Sequence, residues 1–185
     1  MYCMICTRPD LAHGIIVTSR YMKEFRREHW YALKWMLRYI KGNKDLRILF
    51  KKKDPGDDDP LIGYCDSDYA ANLDNRKSQT GYIFKLHGAA VSWKSTLQPV
   101  VVLSTTEAEY IALTEAVKEG IWLKGILADF GVEQKRVKRV LDRIEKDEVE
   151  VLKVGTEDNA ANALTKALPV SKLEHCLRLV SVVAQ

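Results

Sequence analysis

The 185-residue chain reads as an α+β protein, and three observations lead there. Residues 10–41 and 104–131 space their apolar side chains as helices do. Between them, residues 61–104 carry apolar, β-branched and aromatic runs separated by short turns. Beyond them, VEVLKV (Val149–Val154) alternates like one more strand. Strands, then helices, then a further strand argue for helices gathered against a sheet.

In chain order, the first helix is expected to begin near Pro9-Asp10, because proline suits a helix entrance and aspartate its positive end. Its apolar positions include Leu11, Ile15 and Met22. The second helix sets Trp30, Leu33, Leu37 and Ile40 on one stripe, read as a core face, and stops at Gly42. KKKDPGDDDP (Lys51–Pro60) reads as a solvated linker. LIGYCDSDY, TGYIFKL and AAVSWKS then read as strands, with His87-Gly88 as a turn, and QPVVVLS (Gln98–Ser104) as a resumed extended path. Short turns favour antiparallel neighbours. The long helix that follows has Ser104 as N-cap with Glu107 three residues on, and Gly131 as its stop. Val137, Val140, Leu141 and Ile144 space like another amphipathic helix over 134–147, and a last helix is expected from about Asp158 to Leu168.

Bulk properties exclude some classes and leave others open. A formal charge of +4 permits a nucleic-acid partner without requiring one. No apolar run is long enough to span a bilayer, and the opening lacks the form of a signal peptide, so intracellular residence is expected. Cys3 and Cys6 form a CxxC with no second pair to complete a zinc site, so the four cysteines read as reduced thiols. His13, His29, His87 and His175 show no mutual spacing that suggests a metal or base.

Chemistry is suggested where a carboxylate stands on an apolar stripe. Glu109 shares a helix side with Ala112, Leu113, Ala116, Leu123 and Leu127, whereas Glu107 faces away. A charge aimed at a core is costly unless something there compensates it. In YCDSD, Asp66 and Asp68 lie two apart and leave one face of an extended chain. With Glu109 they form the kind of oxygen set that hard divalent cations prefer. The competing account, strand-end turns and helix-dipole pairing, covers Asp68 and Glu107 well and Glu109 badly.

The run YCDSDYAANLDNRKSQTGYIFKLHGAAVSWKSTLQPVVVLSTTEAEYIALTEAVKEGIWLK resembles the ribonuclease H segment of copia-type LTR retrotransposon Pol polyproteins. The resemblance extends upstream through CTRPDLAHGIIVTSRYM and EHWYALKWMLRYIKG, and downstream through VEVLKVGTEDNAANALTKALPVSKLEHC. It implies a helical polymerase-connection-like segment at 1–45, a linker at 46–60, a ribonuclease H-like domain at 61–168 and a C-terminal tail at 169–185. In such domains two Mg²⁺ or Mn²⁺ ions about 4 Å apart hydrolyse the RNA strand of an RNA–DNA hybrid. Asp66 matches the first acidic position and Glu109 the second, with Asp68 a further possible ligand. The other two positions depart from the pattern. The strand and helix bearing the third acid are missing where GVEQKRV runs into KRVLDRIEK, and Asn162 replaces the fourth acid in NAANALTK. The resemblance therefore implies weak metal binding, little or no cleavage and a deleted central strand. VEVLKV is then expected to fill that vacancy beside the first strand, and Asp158, one turn before Asn162, to approach the acids.

The implied partners are an RNA–DNA hybrid or other nucleic acid and the remainder of a Pol polyprotein, in the cytoplasm or in retrotransposon particles, with no membrane. Asn75, Arg76 and Ser78 match a motif beside the first acid and are candidate nucleic-acid contacts. Basic clusters at Arg26-Arg27, Lys51–Lys53 and Lys135, Arg136, Lys138 and Arg139 could neutralise phosphates. Trp30 is read as core.

Overall fold

The computed structural model describes residues 2–50, 61–132, 137–140, 149–152 and 154–184, with only the backbone of Val137–Val140 and Val149–Val151. Its elements in order are α1 (Tyr2–Cys6), a 3-10 turn (Pro9–Leu11), α2 (Ala12–Ser19), α3 (Arg27–Gly42), β1 (Arg47–Ile48), β2 (Ile62–Asp68), β3 (Gln79–Leu86), β4 (Ala89–Leu97) and α4 (Thr105–Asp129). β5 (Val137–Val140), β6 (Val149–Val151), a second 3-10 turn (Thr156–Asp158), α5 (Asn162–Thr165), α6 (Val170–Leu179) and β7 (Val182–Val183) follow. The α+β class is as the sequence implies.

A five-stranded sheet runs in the order β4-β3-β2-β5-β6. The first three strands are antiparallel, and β5 and β6 are parallel to β2. The sheet's two faces carry separate cores. On one, α4 lays Leu113 and Ala116 over Leu61, Cys65, Tyr82 and Phe84. On the other, Tyr64, Ile83 and Ala90 meet Ala12, Ala161, Leu164, Leu177, Val180 and Val182. Odd and even residues of β2 thus serve opposite layers, as strand geometry requires.

Several expectations are corrected. Val137–Val140 is a strand, where helix was expected over 134–147; the rest of that span lies outside the described residues. It pairs with β2 in parallel, so the central place is filled, and by this segment. VEVLKV contributes only Val149–Val151 and sits outside β5, not beside β2. An unpaired central edge accepts whichever β-branched segment can reach it. Gln98–Ser104 is not a strand: β4 ends at Leu97, and Gln98 turns inward to donate to Thr80 Oγ1 and the Ala108 carbonyl at 3.0 and 2.9 Å.

The helix expected over 158–168 is only one turn, Asn162–Thr165. Residues 169–185, read as a tail, form α6 and β7, and β7 pairs with β1 from the stretch read as linker. The Lys51–Pro60 linker and the basic residues Lys51–Lys53, Lys135 and Arg136 lie outside the described residues. Trp30 and Leu37 are 50% and 63% exposed, not core.

Candidate functional site

The acidic site is built at the end of β2. Asp66 pairs across the ladder with Gly81 of β3. A Cβ at Gly81 would lie 2.7 Å from Thr165 Cγ2 and 2.8 Å from Leu164 Cβ, so its absence lets α5 lie directly on the sheet. That approach brings Thr165 and Lys166, at the end of α5, to Asp66, with Asn162 behind the lysine. Thr165 donates its hydroxyl to Asp66 Oδ2. The Lys166 ammonium lies 3.2 Å from Asp66 Oδ1 and 3.1 Å from Oδ2, and donates to Asn162 Oδ1 at 3.2 Å. Asn162 is buried, and its amide Nδ2 donates to the Thr156 carbonyl at 2.6 Å.

Glu109 arrives from α4 on the other side of the strand. Its helix begins as the sequence implies: Ser104 Oγ accepts from the Glu107 amide at 3.1 Å, and the Glu107 carboxylate reaches back to the Leu103 amide. Gly131 adopts φ +75° just past the end. Ala108, Ala112, Leu113 and Ala116 are buried, which sets Glu109 against the sheet. Burial, then the neighbouring charge of Asp66, push its carboxyl above the ordinary carboxylate range, while hydrogen bonds from Ser67 act the other way. Oε2 of Glu109 is buried without a hydrogen-bond partner. Ser67, the residue after Asp66, hydrogen-bonds Glu109 on the α4 side of the sheet, and the Asp66 charge is felt there from the α5 side. Asp68, half-buried on the face of Asp66, is raised by burial.

Other candidate residues are dispersed. Asp158 is exposed and pairs with His175 Nε2 at 3.0 Å, away from the acids it was expected to join. Asn75 closes its own turn by accepting from the Lys77 amide at 3.1 Å, and exposed Arg76 sits at φ +57°. Ser78 is fully buried and spends its oxygen on the Ala70 amide at 3.0 Å, so it is a loop anchor without an accessible surface. Thr165 and Lys166 were missed by sequence reasoning. The available signal was the LTK that follows Asn162, with Lys166 one helical turn on.

Two divalent cations do not fit this set. Among the described residues no group of three or more acidic, His or Cys side chains is arranged to hold a metal ion. Asp66 already has a hydroxyl and an ammonium on its oxygens, and Asn162 brings an amide where a third negative charge would be needed. Oε2 of Glu109, buried and without a hydrogen-bond partner, has the character of a free hard ligand.

No family model matches the chain. Individual proteins do. The chain is 41% identical to a retrovirus-related Pol polyprotein from transposon TNT 1-94 of Nicotiana tabacum, over 98% of its own length and 16% of the tobacco protein. That alignment runs to 212 residues, longer than the chain itself, so the relative has positions this chain lacks. A secreted RxLR effector protein 161 of Plasmopara viticola is 43% identical over 66% of the chain and 84% of the effector. The Pol polyprotein of transposon RE2 from Arabidopsis thaliana is 30% identical over 96% of the chain and 14% of that protein. The chain thus spans about one-sixth of the tobacco polyprotein and one-seventh of that from Arabidopsis.

Proposed function

Because the chain belongs to the copia-type retrovirus-related Pol polyproteins, as a fragment of one, we propose that its sheet unit is a ribonuclease H-like domain that no longer cleaves. The observation that carries this reading is the state of Asp66. Two-metal hydrolysis needs the acids free to bridge and surround two cations. Here Asp66 is held by Thr165 and Lys166, and the facing residue is the amide of Asn162. A divalent ion has to compete with a tethered ammonium for the same oxygens, so Mg²⁺ or Mn²⁺ binds weakly.

The test is a labelled RNA–DNA hybrid incubated with the full chain and Mg²⁺ or Mn²⁺. No product above that of Asp66→Asn is expected. Cleavage that disappears in Asp66→Asn would overturn the proposal.

A second reading, nucleic-acid contact without cleavage, is favoured by α3. Arg27, Lys34, Arg38 and Lys41 recur on one face of this helix. Aromatic rings stand among them: the Lys34 ammonium is 5.5 Å from the Trp30 ring and 5.7 Å from Tyr31, and the Arg38 guanidinium is 4.7 Å from Trp35. All three rings are largely exposed. Cations that meet phosphates beside rings that stack on bases suit a single strand. The apolar stripe of α3 is turned instead towards α2, which distinguishes this face from a membrane-lying helix. Fluorescence titration with labelled single-stranded nucleic acid should give affinity that falls steeply with salt, and Arg38→Glu should weaken it several-fold. Salt-independent binding, or no effect of Arg38→Glu, would count against this reading.

A further inference from the structure

We infer that the Lys166 ammonium is the resident cation of the acidic site, completing the fold in the place of a metal ion. The inference deepens the reading of the sheet unit as a non-cleaving domain and rests on it. Asp66 is buried near the end of strand β2, where a carboxylate requires a compensating charge. Thr165 supplies a neutral donor, and Lys166 supplies the only positive charge in contact with it among the described residues. An ammonium offers three donors and no acceptor. Two of its partners are accounted for by Asp66 and the Asn162 oxygen, which belong to the sheet and the helix respectively. The lysine thus ties α5 to β2 as a bridging metal would.

Asn162 fits this arrangement better than an acid would. Its Nδ2 donates to the Thr156 carbonyl, which fixes the amide with its oxygen towards Lys166. An aspartate there would place a second oxygen against that carbonyl and have no proton to offer it. The backbone of Lys166 is equally fixed: it leaves α5 in an extended conformation, with its N–H donating to the Asn162 carbonyl at 3.1 Å. A cation carried by its own backbone gives up side-chain rotamers but not the translational freedom that an ion taken from solution loses.

The inference predicts that removing the ammonium creates the metal site. Lys166→Met keeps the apolar stem and deletes the charge, which frees Asp66 Oδ1 and the Asn162 oxygen and leaves Oδ2 held by Thr165 alone. Asp66 lies within electrostatic range of Glu109 with its unpartnered Oε2. Thermal melting of the full chain, with and without millimolar Mg²⁺, is the first measurement. The wild-type midpoint should not move, and Lys166→Met should melt lower and regain several degrees with Mg²⁺, because an ion that binds only the folded state stabilises it by mass action. Mn²⁺ titrated by electron paramagnetic resonance should bind Lys166→Met about tenfold more tightly than wild type.

A wild-type midpoint that rises with Mg²⁺ as much as the variant's, or Mn²⁺ affinity no tighter in the variant, overturns the assignment. Should Lys166→Met fail to fold, the wild type still decides: Mn²⁺ that broadens the Thr165 and Lys166 amide resonances would show a metal where the lysine is assigned. Absence of such broadening is the expected result. These readouts are separate from hybrid cleavage. A Mg²⁺-responsive wild type that does not cleave refutes the lysine assignment alone, whereas Asp66-dependent cleavage refutes the domain reading beneath it.

Discussion

Helices α3 and α4 both carry apolar stripes, yet none of α3 is fully buried, whereas α4 buries Ala108, Ala112, Leu113, Ala116 and Gly120. The difference lies in what each helix faces. α4 meets a continuous sheet surface, and its small residues allow close approach to Cys65 and Tyr82. α3 meets only the narrow α2, across an open groove of about 440 Å³ lined by Leu11, Ile15, Leu33 and Met36. A stripe is thus a capacity to bury surface, and the partner decides how much of it is used. Apolar surface left open in this way is the usual mark of an interaction face.

The strongest way to break this comparison is to truncate a leucine on each helix. Leu113→Ala, 2% exposed on α4, should cost about 2–5 kcal/mol in urea unfolding. Leu37→Ala, 63% exposed at the rim of the groove between α2 and α3, should change stability by less than about 0.5 kcal/mol. Equal losses would mean that α3 is covered in solution. Next in size is Gly81→Ala, which drives a methyl group into Thr165 and Leu164 and should cost about 1–3 kcal/mol. A silent Gly81→Ala would show that α5 does not rest on β3. Ser104→Ala removes the N-cap bond of α4 and should cost about 1 kcal/mol, read from the same unfolding midpoints.

Local chemistry made much of this legible. The cap at Ser104, the stop at Gly131 and the antiparallel run from β2 to β4 all follow from signals within a few residues. What escaped reading depended on distant partners. Val137 and Val140 suit a helix stripe as well as a strand, and only the free edge of β2 selects the strand. Gln98–Ser104 has the β-branched content of a strand, but the buried hydrogen bonds of Gln98 turn the chain away from the ladder. Lys166 lies 100 residues from Asp66, so no local pattern announces their pairing. Trp30 sits at the edge of a helical stripe whose partner, α2, is too narrow to cover it, and it stays 50% exposed.

The smallest expected effect lies at the seam between the helical segment and the sheet unit. His13 projects from α2 with Nδ1 buried and without a partner among the described residues, while a hydrogen bond involving the Leu164 backbone partly supports its charged form. Burial first, and the nearby Arg20 charge second, hold its pKa below the ordinary 6.5. The unfolded chain therefore takes up a proton at His13 before the folded chain does. Stability from this residue is fully present above pH 6.5 and declines as pH falls below it through the folded pKa. Glu109 and Asp68, whose pKa values are raised, act in the opposite direction at lower pH, so the effect is read as a difference between two proteins. His13→Gln retains an N–H donor for Leu164 and removes the titration. Urea midpoints of wild type and variant should converge as pH falls from 6.5, with a slope difference no steeper than about 1.4 kcal/mol per pH unit. Parallel curves would mean that His13 is hydrated in the folded chain, and that α2 is no more firmly seated on the sheet unit than α3 is on α2.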